Sequence, residues 1–229
     1  MATLAPVAAT ADCRLALLLA IDVSSSVDAA EDILQRGGIA AALSSPEVAA
    51  VFLASDQHVA LAAYEWSGRY NQQILLDWTI VKDRETLFLA AEKIANSKRS
   101  HNDFPTAMGY ALGYGAGVME RAPSCEQQTL DVAGDGQNNE GFTPAQAYAA
   151  FFFEKITVNG LVINGADFEA ETGLIAYYKG NVIRGPGAFV EVAAGFEDYE
   201  RAMRRKLERE LALPILGSVD VFPSETVRK

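Results

Sequence analysis

Two periodicities alternate along this chain, one suited to buried strands and one to amphipathic helices. Residues 15–21 form a near-continuous apolar run, as expected of a strand covered on both faces. Asp28 and Glu31 then give an Asp-x-x-Glu helix start, the helix runs to about residue 43, and Pro46 follows its end. Residues 58–66 and 73–78 read as strands, and the short connection 67–71 makes them antiparallel neighbours. Helices are expected over 83–95 and 106–119. A strand over 129–133 ends at Gly134-Asp135-Gly136, Pro144 opens another helix, and 156–163 is a further strand. The last strand is expected over 182–192, interrupted by Gly185-Pro186-Gly187, and a long amphipathic helix follows over 196–211.

Strands alternating with helices predict an α/β fold: a doubly wound, mostly parallel central sheet with one antiparallel edge strand and helices on both faces. In such sheets sites form at the carboxyl ends of strands, near the point where strand order reverses. No internal repeat or linker divides the chain, so one domain is expected over residues 13–213, followed by a tail over 214–229. Residues 1–12 are read as a signal-peptide remnant or a disordered N-terminus. The first eleven carry no charge and end in Ala9-Thr10-Ala11, the small-x-small form of a cleavage site, but they lack a positive n-region.

A net charge of −11 argues against nucleic acid, which is held by clustered Lys and Arg. The basic cluster Arg201, Arg204, Arg205, Lys206 and Arg209 alternates with Glu200, Glu208 and Glu210 and reads as a solvated helix face. No apolar stretch is long enough to span a bilayer as a helix.

The informative chemistry stands where the first strand ends, at Asp22-Val23-Ser24-Ser25-Ser26. Residues two apart in an extended segment share a side, so Asp22, Ser24 and Ser26 can offer three oxygens to one point. Oxygen ligands carrying little charge suit a hard divalent cation, Mg²⁺ above all. The competing explanation is a helix N-terminus with capping hydroxyls, common in any α/β protein. Asp135 occupies the same end of a later strand, so the two acids meet if those strands are neighbours.

This ordered pattern resembles the von Willebrand factor type A domain with its metal-ion-dependent adhesion site. The family's Asp-x-Ser-x-Ser falls on Asp22, Ser24 and Ser26. Its loop threonine falls on Thr106 in Phe104-Pro105-Thr106-Ala107-Met108, with Ser100 an alternative in the same region, and its Asp-Gly falls on Asp135-Gly136. The resemblance implies that Ser24, Ser26 and Thr106 ligate the metal directly and that Asp22 and Asp135 do so directly or through water. The ion is Mg²⁺, or Mn²⁺ or Ca²⁺, and an Asp or Glu carboxylate of another protein completes its shell.

More narrowly, Val132-Ala133-Gly134-Asp135-Gly136-Gln137-Asn138-Asn139, Val158-Asn159-Gly160-Leu161-Val162-Ile163 and Gly185-Pro186-Gly187-Ala188-Phe189-Val190 are similar to a bacterial branch whose function is unknown. Ala133 stands where that branch often has Ser.

Cys13 precedes Asp22 by nine residues and Cys125 precedes Asp135 by ten. In the resembled sheet the two strands are neighbours, which places both cysteines together at the opposite ends and predicts a Cys13–Cys125 disulfide. A disulfide fits a periplasmic or secreted location.

Other readings fail on the residues. As an EF-hand loop from Asp131, the segment has Ala133 at position three and Phe142 in place of the bidentate Glu. Gly134, Gly136 and Gly141 lack dinucleotide-loop spacing. A serine hydrolase needs a base, and the histidines are His58, at the start of a strand, and His101, in the region of Thr106. No enzyme is expected; the alternatives are a structural domain with an internally satisfied metal site or, third, a metal-dependent hydrolase. Phe151-Phe152-Phe153 reads as core packing, while Tyr177 and Tyr178 fit either core or site rim.

Overall fold

The apolar run near the start of the chain becomes β1 (Cys13–Asp22), a strand buried along its whole length at the centre of the sheet. A computed structural model describes residues 12–165 and 168–212, so the expected leader and tail lie, apart from Asp12, outside the described residues. β1 pairs in parallel with β2 (His58–Trp66) on one side and β4 (Gln127–Gly134) on the other. β5 (Ile156–Ile163) and β6 (Val190–Ala193) continue the parallel array. β3 (Gln72–Val81) closes the far edge antiparallel to β2, giving the order β3-β2-β1-β4-β5-β6 among the described residues. The chain steps from β3 across the sheet to β4, so strand order reverses between β1 and β4.

Alternate residues of β1 serve two separate cores. Leu15, Leu17, Leu19 and Ile21 pack against α1 (Ala29–Ser44), α2 (Pro46–Phe52), α3 (Arg84–Ala95) and α7 (Tyr199–Leu211). Leu18 and Ala20 face α4 (Met108–Met119), α5 (Pro144–Ala150) and the turn after α6 (Phe168–Tyr177). Each fully buried Leu or Ile contributes roughly 1.5–3 kcal/mol relative to exposure, which is why the run is apolar on both parities.

At the amino end of β1, Cys13 is bonded to Cys125, with 4.5 Å between Cα atoms. The bridge spans a sequence separation of 112 residues and contributes on the order of 4 kcal/mol in the chain-entropy picture. It ties the far ends of the two strands whose near ends carry the acids.

Four expectations need correction. Pro46 does not merely follow a helix: with Ser45 as N-cap it opens α2, where its missing N–H costs nothing. The strand expected over 182–192 is only Val190–Ala193. Tyr178–Val182 forms a π-helical turn, Arg184 makes one isolated antiparallel bridge to Val158, and positive φ values at Gly185 (96°) and Gly187 (73°) then turn the chain before the parallel strand begins. Phe153 is core, but Phe151 and Phe152 are exposed. Finally, α7 is not solvated along all its basic residues, because Lys206 is wholly buried against Asp131 and Glu210.

Candidate metal centre

Asp22 is the last residue of β1, and Ile21 sits opposite Ala133 of β4, so both strands end level and Asp135 follows immediately. A chain of short contacts joins the acids. Asp22 Oδ1 accepts from the Ser24 N–H at 2.7 Å, the Ser24 and Ser26 Oγ atoms are 3.1 Å apart, and the Ser26 hydroxyl donates to Asp135 Oδ1 at 2.7 Å. Thr106 comes from the α3–α4 connection, and its Oγ1 stands 3.5 Å from where a Cβ on Gly136 would lie. All five residues expected at the site are therefore brought together. Ser100 is not among them: its N–H donates to Glu65 Oε1 at 2.8 Å and its hydroxyl pairs with His101 Nδ1 at 2.8 Å.

The β1–α1 loop is fixed from below and from the side. Asp28 and Glu31 form a capping box at the start of α1, and Gln35 Nε2 donates to the Asp22 carbonyl at 3.0 Å. Arg99 directs all five guanidinium N–H groups to main-chain carbonyls: those of Val23, Ser24, Val27 and Asp28 in the loop, and that of His101. Ser25 N–H donates to the Phe104 carbonyl at 2.8 Å, joining the same two loops again. The α3–α4 connection is itself anchored on a buried network in which Arg36 pairs with Asp32 at 2.9 Å and with Glu65 at 2.5 Å.

The β4–α5 loop is held against α4 by its asparagines. The N-cap residue of α4, Ala107, offers no capping side chain, and Asn138 Oδ1 supplies the cap by accepting from Gly109 N–H at 3.1 Å. Asn139 and Thr106 are joined twice: Thr106 N–H donates to Asn139 Oδ1 at 2.9 Å, and Asn139 N–H donates to the Thr106 carbonyl at 3.0 Å. That clamp sets Thr106 beside Asp135-Gly136.

Electrostatics single out Asp22. It is 0% exposed, its Oδ2 has no hydrogen-bond partner among the described residues, and no Lys or Arg is paired with it there. Burial, and then the charge of Asp135, push its carboxyl up to about 8, against smaller opposing contributions from Ser24 and Arg99. Asp135 is raised as well, chiefly by burial. Among the described residues no group of three or more His, Cys, Asp and Glu could hold a metal, so the candidate centre has two carboxylates and three hydroxyls. That all-oxygen donor set, with one buried carboxylate oxygen unsatisfied, fits a hard divalent cation.

In the sequence Asn138 and Asn139 lie just after Asp135 and read either as site-rim residues or as a plain polar loop. Arg99 gave no signal, since one arginine beside Lys98 between two helices looks like any surface cation. Neither Ser24 nor Ser26 is hydrogen-bonded to a histidine, so the hydrolase reading gains no base.

A family model described as a protein of unknown function, DUF1194, matches residues 12–215. No curated protein matches the sequence. Among solved structures, proximal thread matrix protein 1 from the mussel byssus, with a zinc-occupied MIDAS motif, is similar at a TM-score of 0.61. The identity is 17%, over 88% of this chain and 48% of that one. A von Willebrand factor type A protein from Catenulispora acidiphila is similar at a TM-score of 0.55 and 16% identity, over 87% and 42% of the two chains. The PilB minor pilin from Streptococcus sanguinis gives 0.59 and 11%, over 91% and 64%. The chain thus spans about half the length of the first two. These likenesses show the fold, which is that of von Willebrand factor type A domains.

Proposed function

This chain belongs to the DUF1194 family, whose function is unknown, and we propose that it is a divalent-cation-dependent binding domain that recognises an acidic group on another protein. Ser24, Ser26 and Thr106 are assigned as direct ligands, and Asp22 and Asp135 as ligands direct or through water. A bound cation supplies an electrophilic position that a partner's Asp or Glu carboxylate completes. Mg²⁺ is the expected ion, with Mn²⁺ or Ca²⁺ able to substitute.

The observation that carries this reading is the wholly buried Asp22 carboxylate, with one orphaned oxygen, beside Asp135 and three hydroxyls. An uncompensated buried carboxylate is costly unless something positive joins it. The zinc-occupied MIDAS motif of one structural neighbour supports a divalent-cation site. The disulfide supports a periplasmic or secreted location, and no helix among the described residues is long and apolar enough to cross a membrane.

The test is capture from periplasmic extract by immobilised protein, with Mg²⁺ and with chelator, alongside a calorimetric Mg²⁺ titration. Capture that needs Mg²⁺ and is lost in Asp22→Ala and Thr106→Ala is the expected result. Capture unchanged by chelator and by both variants would sink the proposal. Cation binding without any capture would favour a structural site that the protein satisfies internally.

A further inference from the structure

The hydroxyl of Tyr178 is buried and, like Asp22 Oδ2, has no hydrogen-bond partner among the described residues. Its route into the protein is specific. α6 loosens at its end into the π-helical turn Tyr178–Val182, a distortion that is frequent at functional sites. From there the Tyr178 ring crosses two strands at positions where each carries glycine. A Cβ on Gly160 in β5 would stand 2.7 Å from the ring atom Cδ1, and a Cβ on Gly134 in β4 would stand 2.7 Å from the hydroxyl oxygen. That same Cβ on Gly134 would stand 2.8 Å from Asp22 Oδ2.

The hydroxyl and the inner oxygen of Asp22 therefore face one gap, opened by the missing side chain at 134. A phenol carries its proton at neutral pH and can donate. An unmatched donor and an unmatched acceptor, both buried, converge where two glycines admit the ring. Core packing alone does not call for the oxygen, because phenylalanine would fill the same space.

We propose that Tyr178 is a positioning residue of the centre: its hydroxyl holds the inner oxygen of Asp22, so that the carboxylate keeps one orientation toward Ser24, Ser26 and Asp135 when a cation is bound. The inference rests on the reading of the centre as a cation site. It assigns to this chain a supporting donor from the turn after α6, outside the three loops that carry the ligands. Removal of such supporting partners costs about 10–100-fold in metal affinity elsewhere.

Tyr178→Phe removes one oxygen and keeps the ring. Mn²⁺ is titrated calorimetrically into the full-length wild type, Tyr178→Phe and Asp22→Ala, and each is melted in chelator. Tyr178→Phe is expected to bind Mn²⁺ about tenfold or more weakly. Its melting temperature in chelator is expected to be no lower than wild type, because a buried hydroxyl without a partner stabilises nothing. Mn²⁺ affinity within twofold of wild type would overturn the inference, as would weaker binding accompanied by a lower melting temperature in chelator, which marks a structural role. If wild type binds and Asp22→Ala does not, unchanged binding in Tyr178→Phe removes the inference alone. A wild type that binds no Mn²⁺, or an Asp22→Ala that binds normally, removes the cation-site reading and the inference with it.

Discussion

β4 and the loop that follows it take part in two clusters of buried carboxylates, completed in opposite ways. Asp131 points toward α7, where Lys206 Nζ lies 2.7 Å from Asp131 Oδ1 and 2.5 Å from Glu210 Oε1, and Asn159 Nδ2 donates to Glu210 Oε1 at 2.7 Å. Four residues on, Asp135 meets Asp22 with hydroxyls between them and no paired Lys or Arg. Arg99 lies close by, but its donors all serve main-chain carbonyls. Elsewhere among the described residues, buried Asp32 and Glu65 both pair with Arg36. The protein thus supplies an internal cation to each of these acids except Asp22 and Asp135. Where a counter-charge is built in, the cluster is structural. Where it is left out beside three hydroxyls, the proposed function assigns that place to a cation from solution.

The largest expected effect tests that contrast on stability. Lys206→Met leaves Asp131 and Glu210 buried without their partner and should cost about 3–5 kcal/mol. Asp22→Asn keeps the shape and removes a carboxylate that lacks a partner, so in chelator it should be neutral or stabilising. Urea unfolding of both variants in chelator measures the difference. Equal destabilisation would mean that the two clusters are of one kind.

The sequence made the cation-poor cluster easier to see than the cation-rich one. Asp22, Ser24 and Ser26 follow a strand at spacing two, and Asp135 ends another strand, so one short motif and a parallel sheet bring them together. The disulfide was legible because Cys13 and Cys125 run back nine and ten residues from the two acids, along strands that the resembled fold makes neighbours. Lys206 lies in a run of charges whose outward residues mask the one turned inward; helical periodicity across residues 199–211 marks the buried face, but a lysine on it is read as solvent-facing by default. Arg99, Asn139 and Tyr178 act from loops and turns with no repeating period, and their roles follow from which loops meet. Nothing in the sequence explains Gly134 and Gly160, and the path of the Tyr178 ring does.

The pH dependence of the metal-free protein gives the next effect. Asp22 is raised in the folded state from 3.8 to about 8, so between those values the folded protein retains a proton that the unfolded chain has lost. The stability this contributes is present below about pH 4 and is lost as pH rises toward 8, at no more than about 1.4 kcal/mol per pH unit for one group. Melting temperature in chelator should therefore fall from pH 5 to pH 8, and Asp22→Asn should flatten the fall. Asp131, pushed up to about 7 by burial despite the attraction of Lys206, leaves a residual slope in that variant. Saturating Mg²⁺ should flatten the wild-type curve by favouring the ionised carboxylate. A slope identical in wild type and Asp22→Asn would detach the effect from this site.

The smallest effect asks whether the cation-poor cluster depends on loop placement as closely as the cation-rich one depends on charge. Asn138 and Asn139 are adjacent, but Asn138 bonds to Gly109 in the first turn of α4 and Asn139 to Thr106 in the loop before it. Asn138 caps the helix, so Asn138→Ala should cost about 1 kcal/mol of stability and leave Mn²⁺ affinity within twofold. Asn139 joins the Thr106 and Asp135 loops, so Asn139→Ala should weaken Mn²⁺ binding by about tenfold. The bond to Thr106 needs only the acceptor Oδ1, and Asn139→Asp retains it, so that variant should recover most of the loss. Calorimetric Mn²⁺ titration against melting temperature separates the two neighbours. If both alanine variants lose stability and neither loses affinity, Thr106 is held by α4 alone and the clamp plays no part in arranging the centre.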